Sequence, residues 1–243
     1  MREAPNLTAT PANQLAISGN ACGPAALLTA LRFGDANWQK SAAAVAGATD
    51  RDRLLTIIRT WGLLPSKSLP SRKRWSRHGV NVDDLCDIGN EMTQNHWRQL
   101  MKCEVLLARP GETSPKLLAR VHDRLSTSLK RGLPPIISVR RIVKQGSDDR
   151  AGSWEVLQGH FVTVIAVPAV LEKSATGFPI TYIDPWGGKR CSGHLRISTQ
   201  AFVSGQSASP CLEADFPQAD VGKKLAKKGA STLLTLAAAI GKW

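Results

Sequence analysis

The amino-acid sequence predicts an α+β fold, with a helical N-terminal half and an antiparallel sheet in the C-terminal half. Two observations carry this expectation. Between residues 22 and 100 apolar residues recur at helical spacing, whereas from residue 134 onward the chain breaks into short runs rich in β-branched residues and bounded by Gly, Pro and Ser. Helical and extended segments are grouped and do not alternate as βαβ units, which is the pattern of an α+β protein.

The elements follow in order. GPAALLTALRFG (23–34) sets Ala26, Leu27, Ala30 and Leu31 on one stripe and ends at Gly34, a helix stop. Residues 37–46 are alanine-rich, and DRDRLLTIIRTW (50–61) opens on a capping Asp and stops at Gly62. PSKSLPSRKRWSRHGV (65–80) reads as a basic loop, and a further helix is expected within 80–100, opening at Asn81 or Asp83. CEVLLAR (103–109) is expected to be a strand. A helix follows over 114–130, with Pro115 suited to its first turn. The expected sheet then comprises 134–143, 160–167, 180–184, 191–198 and 211–216.

A chain of 243 residues that is 42% hydrophobic can bury a substantial core, which excludes a disordered protein. The expected division is a main domain over 1–218 and a basic amphipathic helix or tail over 219–243. In the tail, the stretch from Lys223 to Trp243 has the character of a membrane-surface helix anchored by Trp243, and a helix packed on the body by its leucine face is the preferred account. No apolar run is long enough to cross a bilayer. MREAPNLTATPANQL does not read as a secretory signal, which leaves a cytoplasmic protein, a leaderless secreted one, or a chain given without its leader.

The net charge is +13, drawn in large part from Lys67, Arg72, Lys73, Arg74 and Arg77 and from Lys223, Lys224, Lys227 and Lys228. Such a surface attracts nucleic acid, anionic membranes and acidic proteins alike, so contact with an anionic surface through loop 67–77 and the tail is open while no specific nucleic acid is implied. RKRW (72–75) could hold phosphates with Trp75 stacked on a base, but no nucleic-acid module surrounds it. His78, His96 and His122 fall in polar surroundings and are expected to be solvated. The five cysteines include no C-x-x-C pair. Cys191 and His194 with Cys211 fall a ligand short of a zinc site, so two buried thiols or a Cys191–Cys211 disulfide is the better reading. The pairing state of Cys86 and Cys103 stays open, and neither cofactor nor metal is called for.

Three residue types in order point to nucleophilic chemistry. Cys22, in GNACGPAALLTAL, stands directly before the first apolar helix, where the macrodipole and unpaired N–H groups favour a thiolate. Gly23 would let a substrate backbone approach, and Pro24 suits an early helical position. His160, in QGHFVTVIAV, opens an apolar strand that can hold it rigid at a cleft. Asp184, in ITYIDPWGG, ends the next strand, which Pro185 terminates. Adjacent antiparallel strands would bring the carboxylate to one imidazole nitrogen and leave the other for the sulfur.

These residues lie in a set of motifs that resembles the papain-like cysteine peptidases, most closely their C39-like branch. The set comprises the CGPA helix start at Cys22, LKRGLPPI (129–136), GHFVTV (159–164) and IDPWGG (183–188), and the resemblance spans roughly residues 12–190. It implies a papain-like fold, a catalytic triad of Cys22, His160 and Asp184, and acyl transfer on a peptide or amide substrate. The chain departs from the pattern at one point. The family's oxyanion glutamine stands about six residues before the nucleophile, where this chain has Ala16. Gln14, eight before, is the expected substitute, with Asn20 or Asn13 as alternative donors. That departure keeps alive a second function, an inactive papain-like domain that binds a peptide or partner. A third is a basic membrane- or nucleic-acid-binding protein in which Cys22 is structural.

Overall fold

The computed structural model describes residues 1–94, 100–144, 154–198 and 210–243. It is a mixed α+β protein built on one large antiparallel sheet. A short strand β1 (Arg2–Glu3) leads to helices α1 (Cys22–Phe33), α2 (Ala36–Ala44) and α3 (Asp50–Ile57). After α3, a π-helical turn over Ile58–Gly62 leads to a hairpin of β2 (Trp75–Ser76) and β3 (Gly79–Val80), then to α4 (Val82–Thr93). Strand β4 (Lys102–Val105) and helix α5 (Ser114–Lys130) precede β5 (Ile136–Lys144), β6 (Trp154–Val167), β7 (Gly177–Asp184), β8 (Lys189–Arg196), β9 (Glu213–Asp215) and β10 (Thr232–Gly241).

Local chemistry explains the helix boundaries. Asp35 caps α2 through the N–H groups of Asn37 and Trp38. Thr49 and Asp52 form a reciprocal capping box at the start of α3, so the cap is Thr49 and Asp50 is already helical. Asn81 caps α4 through Asp84 N–H, and Pro115 stands in the first turn of α5. His96 lies outside the described residues.

Strands β5 to β10 close on themselves. Strand β6 pairs with both β5 and β7, β8 joins β7 to β9, and β10 joins β9 back to β5. Every pairing is antiparallel, and β1 and β4 extend the structure at β6 and β10. One apolar cluster joins this ring to α5, through residues such as Leu125, Val139, Val162, Tyr182 and Leu236. A second joins α1, α2, α3 and α4 to the sheet through Ile136, Phe161 and Ile240.

The expected C-terminal helix is a correction. Residues 232–241 form β10, hydrogen-bonded along β5 and also to β4 and β9, so this segment is integral to the main sheet and not an appendage after residue 218. Trp243 packs partly buried against the core with the Arg124 guanidinium 5.9 Å from its ring, and it is no free interfacial anchor. Among the described residues, no helix is long and apolar enough to cross a membrane.

Other surface expectations change too. Arg74 is withdrawn from the basic loop: it is buried and binds Glu91 through both terminal nitrogens, at 2.7 and 2.8 Å. Lys67 stands near Asp87 and Glu91, while Arg72, Lys73 and Arg77 are exposed. Trp75 is half-buried and donates from Nε1 to Asn20 C=O at 3.0 Å. His122, expected in solvent, is buried edge-on to Phe178 and donates from Nε2 to Pro168 C=O at 2.9 Å. Cys191 faces the core while His194 is exposed on the opposite face of β8, so they cannot share a metal; Cys191 and Cys211 are separate free thiols.

The position of β10 has a testable consequence. Leu236 is completely buried, and Leu236→Ala should cost about 2–5 kcal/mol, as such truncations do. Urea unfolding would show this as a lower midpoint at unchanged slope. An unchanged midpoint would mean that the C-terminal segment is peripheral.

Candidate functional site

Cys22 is the first residue of α1, and the residue before it, Ala21, offers no side-chain cap. The N–H groups of the first turn are therefore left for other partners, and the positive end of the helix lies beside the sulfur. Every residue of α1 except Arg32 is buried. Gly23 does not serve substrate approach as expected. It is buried under the hairpin, where an added Cβ would run into Val80 Cγ1. The requirement for glycine here is one of packing.

His160 lies in β6, opposite Val139 of β5, and Asp184 is the last residue of β7. His160 Nε2 lies 2.8 Å from Asp184 Oδ1, and both side chains are buried. The same carboxylate oxygen accepts from Trp186 N–H at 2.8 Å, which holds it in place at the turn. That turn closes with Gly187 and Gly188, both at positive φ, a conformation glycine adopts without steric cost. Cys22 lines a cavity together with His160 and acts on the charge of its ring. The structure thus brings the three residues singled out in the sequence together at one site.

The electrostatics of the imidazole follow from its neighbours. Burial works against the charged ring, but the hydrogen bonds with Asp184 and Cys22 and their charges outweigh it, and the His160 pKa is raised to about 9. Four cysteines elsewhere in the fold lie in surroundings that hold their protons. Burial foremost pushes the thiols of Cys86 and Cys191 up, Cys103 to about 11 and Cys211 to about 12. At neutral pH those four stay protonated and weakly nucleophilic.

Gln14 reaches the site although its spacing to Cys22 is longer than the resembled pattern. Its backbone N–H donates to Pro185 C=O at 2.9 Å, and Asn13 Oδ1 accepts from Gly187 N–H at 3.2 Å. The segment before α1 is thereby stitched to the turn that carries Asp184. Ala12 N–H also donates to Thr29 Oγ1 at 3.0 Å, tying the segment to α1. The extra residues are taken up by a bend through Ser18 and Gly19, the latter at φ +94° against the Trp75 ring. The Gln14 side chain is buried, its Oε1 has no hydrogen-bond partner, and it lines a cavity together with His160 and Asp184. Of the two alternative donors, Asn13 accepts through Oδ1 from Leu15 and Gly187 N–H, and the Asn20 amide nitrogen points to His78 C=O.

Two cavities meet at His160. One, of about 470 Å³, is bordered by Gln14, Arg77, Trp186, Val221 and Leu225. The other, of about 390 Å³, holds Cys22 with Val80, Ser138, Arg140 and Phe161. The wall at Val221–Leu225 belongs to the segment between β9 and β10. Buried Arg141 holds it by donating from Nε to Val221 C=O at 2.9 Å, and Gln158 Oε1 accepts from Gly222 N–H at 2.8 Å. Sequence reasoning missed Trp186, Gln158 and this strap. Only the exposed aromatic in IDPWGG gave any signal. Among the described residues, no group of His, Cys, Asp and Glu could hold a metal ion. In comparisons with known proteins, no family model, curated protein or solved structure matches this chain.

The raised affinity of His160 for its proton links the site to stability. A folded-state value of about 9, against an ordinary 6.5, stabilises the fold fully below pH 6.5, and that contribution fades as pH rises through about 9. Thermal melts of the native chain should therefore lose stability across this window, and His160→Asn should lack that component. Parallel profiles for the two proteins would contradict the assignment.

Proposed function

We propose that this chain is a papain-like cysteine hydrolase that performs acyl transfer on a peptide or amide substrate. The observation that carries the reading is the His160 ring, bonded to Asp184 through Nε2 and sharing a cavity with Cys22, which raises the ring's affinity for its proton. The placement of a cysteine at the head of a buried helix, against an antiparallel sheet that supplies the histidine and the carboxylate, supports a papain-like architecture.

The chemistry follows from these groups. The Cys22 sulfur, ionised beside the protonated His160 ring, attacks the substrate carbonyl carbon. The oxygen that gains charge would be met by a backbone N–H at the α1 terminus and by the Gln14 amide. His160 then delivers the proton to the leaving amine as the C–N bond breaks, and a thioester remains on Cys22. Water, deprotonated by His160, attacks the thioester, releasing the acid and restoring the sulfur beside the protonated ring. Asp184 keeps the ring oriented and offsets its charge while it is protonated. The exposed Trp186 and Leu225 on one rim offer apolar contact to an extended peptide.

Iodoacetamide labelling and peptide hydrolysis test the reading together. Cys22 should be alkylated selectively at pH 6, with the other four cysteines sluggish, and His160→Ala should abolish that selectivity. Gln14→Ala should keep Cys22 reactive while lowering kcat by about 10²–10³-fold, the usual loss for one oxyanion donor. Uniform slow labelling with no turnover would instead favour an inactive domain that binds a peptide or partner.

A further inference from the structure

Two groups act on the Cys22 sulfur from opposite sides of its chemistry. One is the His160 ring, whose Nε2 is bonded to Asp184 and whose positive charge favours a thiolate. The other is Asn20 Oδ1, 3.2 Å from the sulfur. Which end of the Asn20 amide meets the sulfur is decided at its far side. There Nδ2 lies 3.4 Å from the His78 carbonyl oxygen, an atom that can only accept. Turning the amide over would set oxygen against oxygen at His78. The sulfur therefore faces an amide oxygen, which accepts a bond from a thiol and repels a thiolate. Asn20 favours the neutral thiol, and His160 favours its ionisation.

Asn20 is fixed by the β2–β3 hairpin. Its N–H donates to Arg77 C=O at 3.3 Å, and its C=O accepts from Trp75 Nε1 at 3.0 Å. Gly79, at φ +109°, presents a bare Cα to the amide; a Cβ there would lie 3.5 Å from Nδ2. The hairpin also borders the cleft on both sides of the nucleophile: Arg77 lines one cavity, and His78, Gly79 and Val80 line the other. A substrate seated in the cleft touches the element that orients the amide.

We propose that Asn20 is a positioning residue whose Oδ1 opposes ionisation of the Cys22 sulfur beside the His160 ring, and that the hairpin which orients the amide sets that balance. The proposal rests on the acyl-transfer reading above. The other charged or titratable groups facing the cleft are Asp184 on β7, Arg140 on β5, Arg77 and His78 on the hairpin, and Asp220 and Lys224 on the strap. Substitution at Asn20 changes none of them.

The test is the pH profile of Cys22 alkylation by iodoacetamide, followed by mass spectrometry in the full chain, with a thermal melt of each variant. Asn20→Ala removes the acceptor and should move the midpoint down by about one pH unit, with several-fold faster alkylation at pH 6. Asn20→Asp has the same shape but keeps an oxygen, now charged, beside the sulfur, and should move the midpoint up. A purely structural role would shift both variants in the same direction. That result, or an unchanged or raised midpoint in Asn20→Ala, overturns the proposal. If Asn20→Ala unfolds, all five cysteines will label alike, and the Asn20→Asp profile decides. The parent reading fails separately, when His160→Ala labels like the native chain.

Discussion

The contact between α1 and β6 is the constraint on which the rest of this structure depends. Thr163 Oγ1 donates to Ala26 C=O at 2.8 Å, in a buried contact between residues 137 positions apart. Ala26 lies one helical turn beyond Cys22, and Thr163 lies three residues beyond His160. Fixing that pair fixes the sulfur relative to the imidazole. The bond itself contributes only about 0.5–1.5 kcal/mol net. Its precision comes from the apolar packing around it, with Phe161 set among Leu27, Leu28 and Ile136 in the same cluster.

Around that joint the remaining site groups are held by backbone more than by side chains. Gln14 is positioned by its own N–H on Pro185 C=O, and the strap by Val221 C=O on Arg141 and Gly222 N–H on Gln158. Backbone bonds of this kind set positions while leaving side chains free to meet a ligand. Gln14 Oε1 makes no bond within the protein and borders the cavity. The Cys22 sulfur stands between Asn20, which opposes its ionisation, and His160, which favours it.

Much of this was legible in the sequence. The order Cys22, His160, Asp184, the extents of α1 and α5 and the start of α4 follow from periodicity, turn residues and the Asn81 cap, all of which act locally. The C-terminal strand did not. TLLTLAAAIG is rich in alanine, whose intrinsic preference is helical, and it follows a lysine-rich stretch that suggests an exposed amphipathic helix. In the fold, small side chains at Ala237, Ala238 and Ala239 suit a strand crowded between β4, β5 and neighbouring helices, a reason that exists only in three dimensions. Arg74 and His122 misled for a related cause. Their partners, Glu91 and Pro168, lie 17 and 46 residues away, and no local pattern announces them. Gly23 showed a close approach in the sequence, but the neighbour is Val80 and not a substrate.

The central claim is that the His160 ring is a charged partner shared by Asp184 and Cys22. Titration of the His160 ring nitrogens by ¹⁵N NMR tests this most directly. The account predicts an imidazolium that persists through neutral pH and titrates near 9, with a clear downward displacement in Cys22→Ala. A ring that titrates near 6.5 and is indifferent to the loss of the sulfur would contradict it.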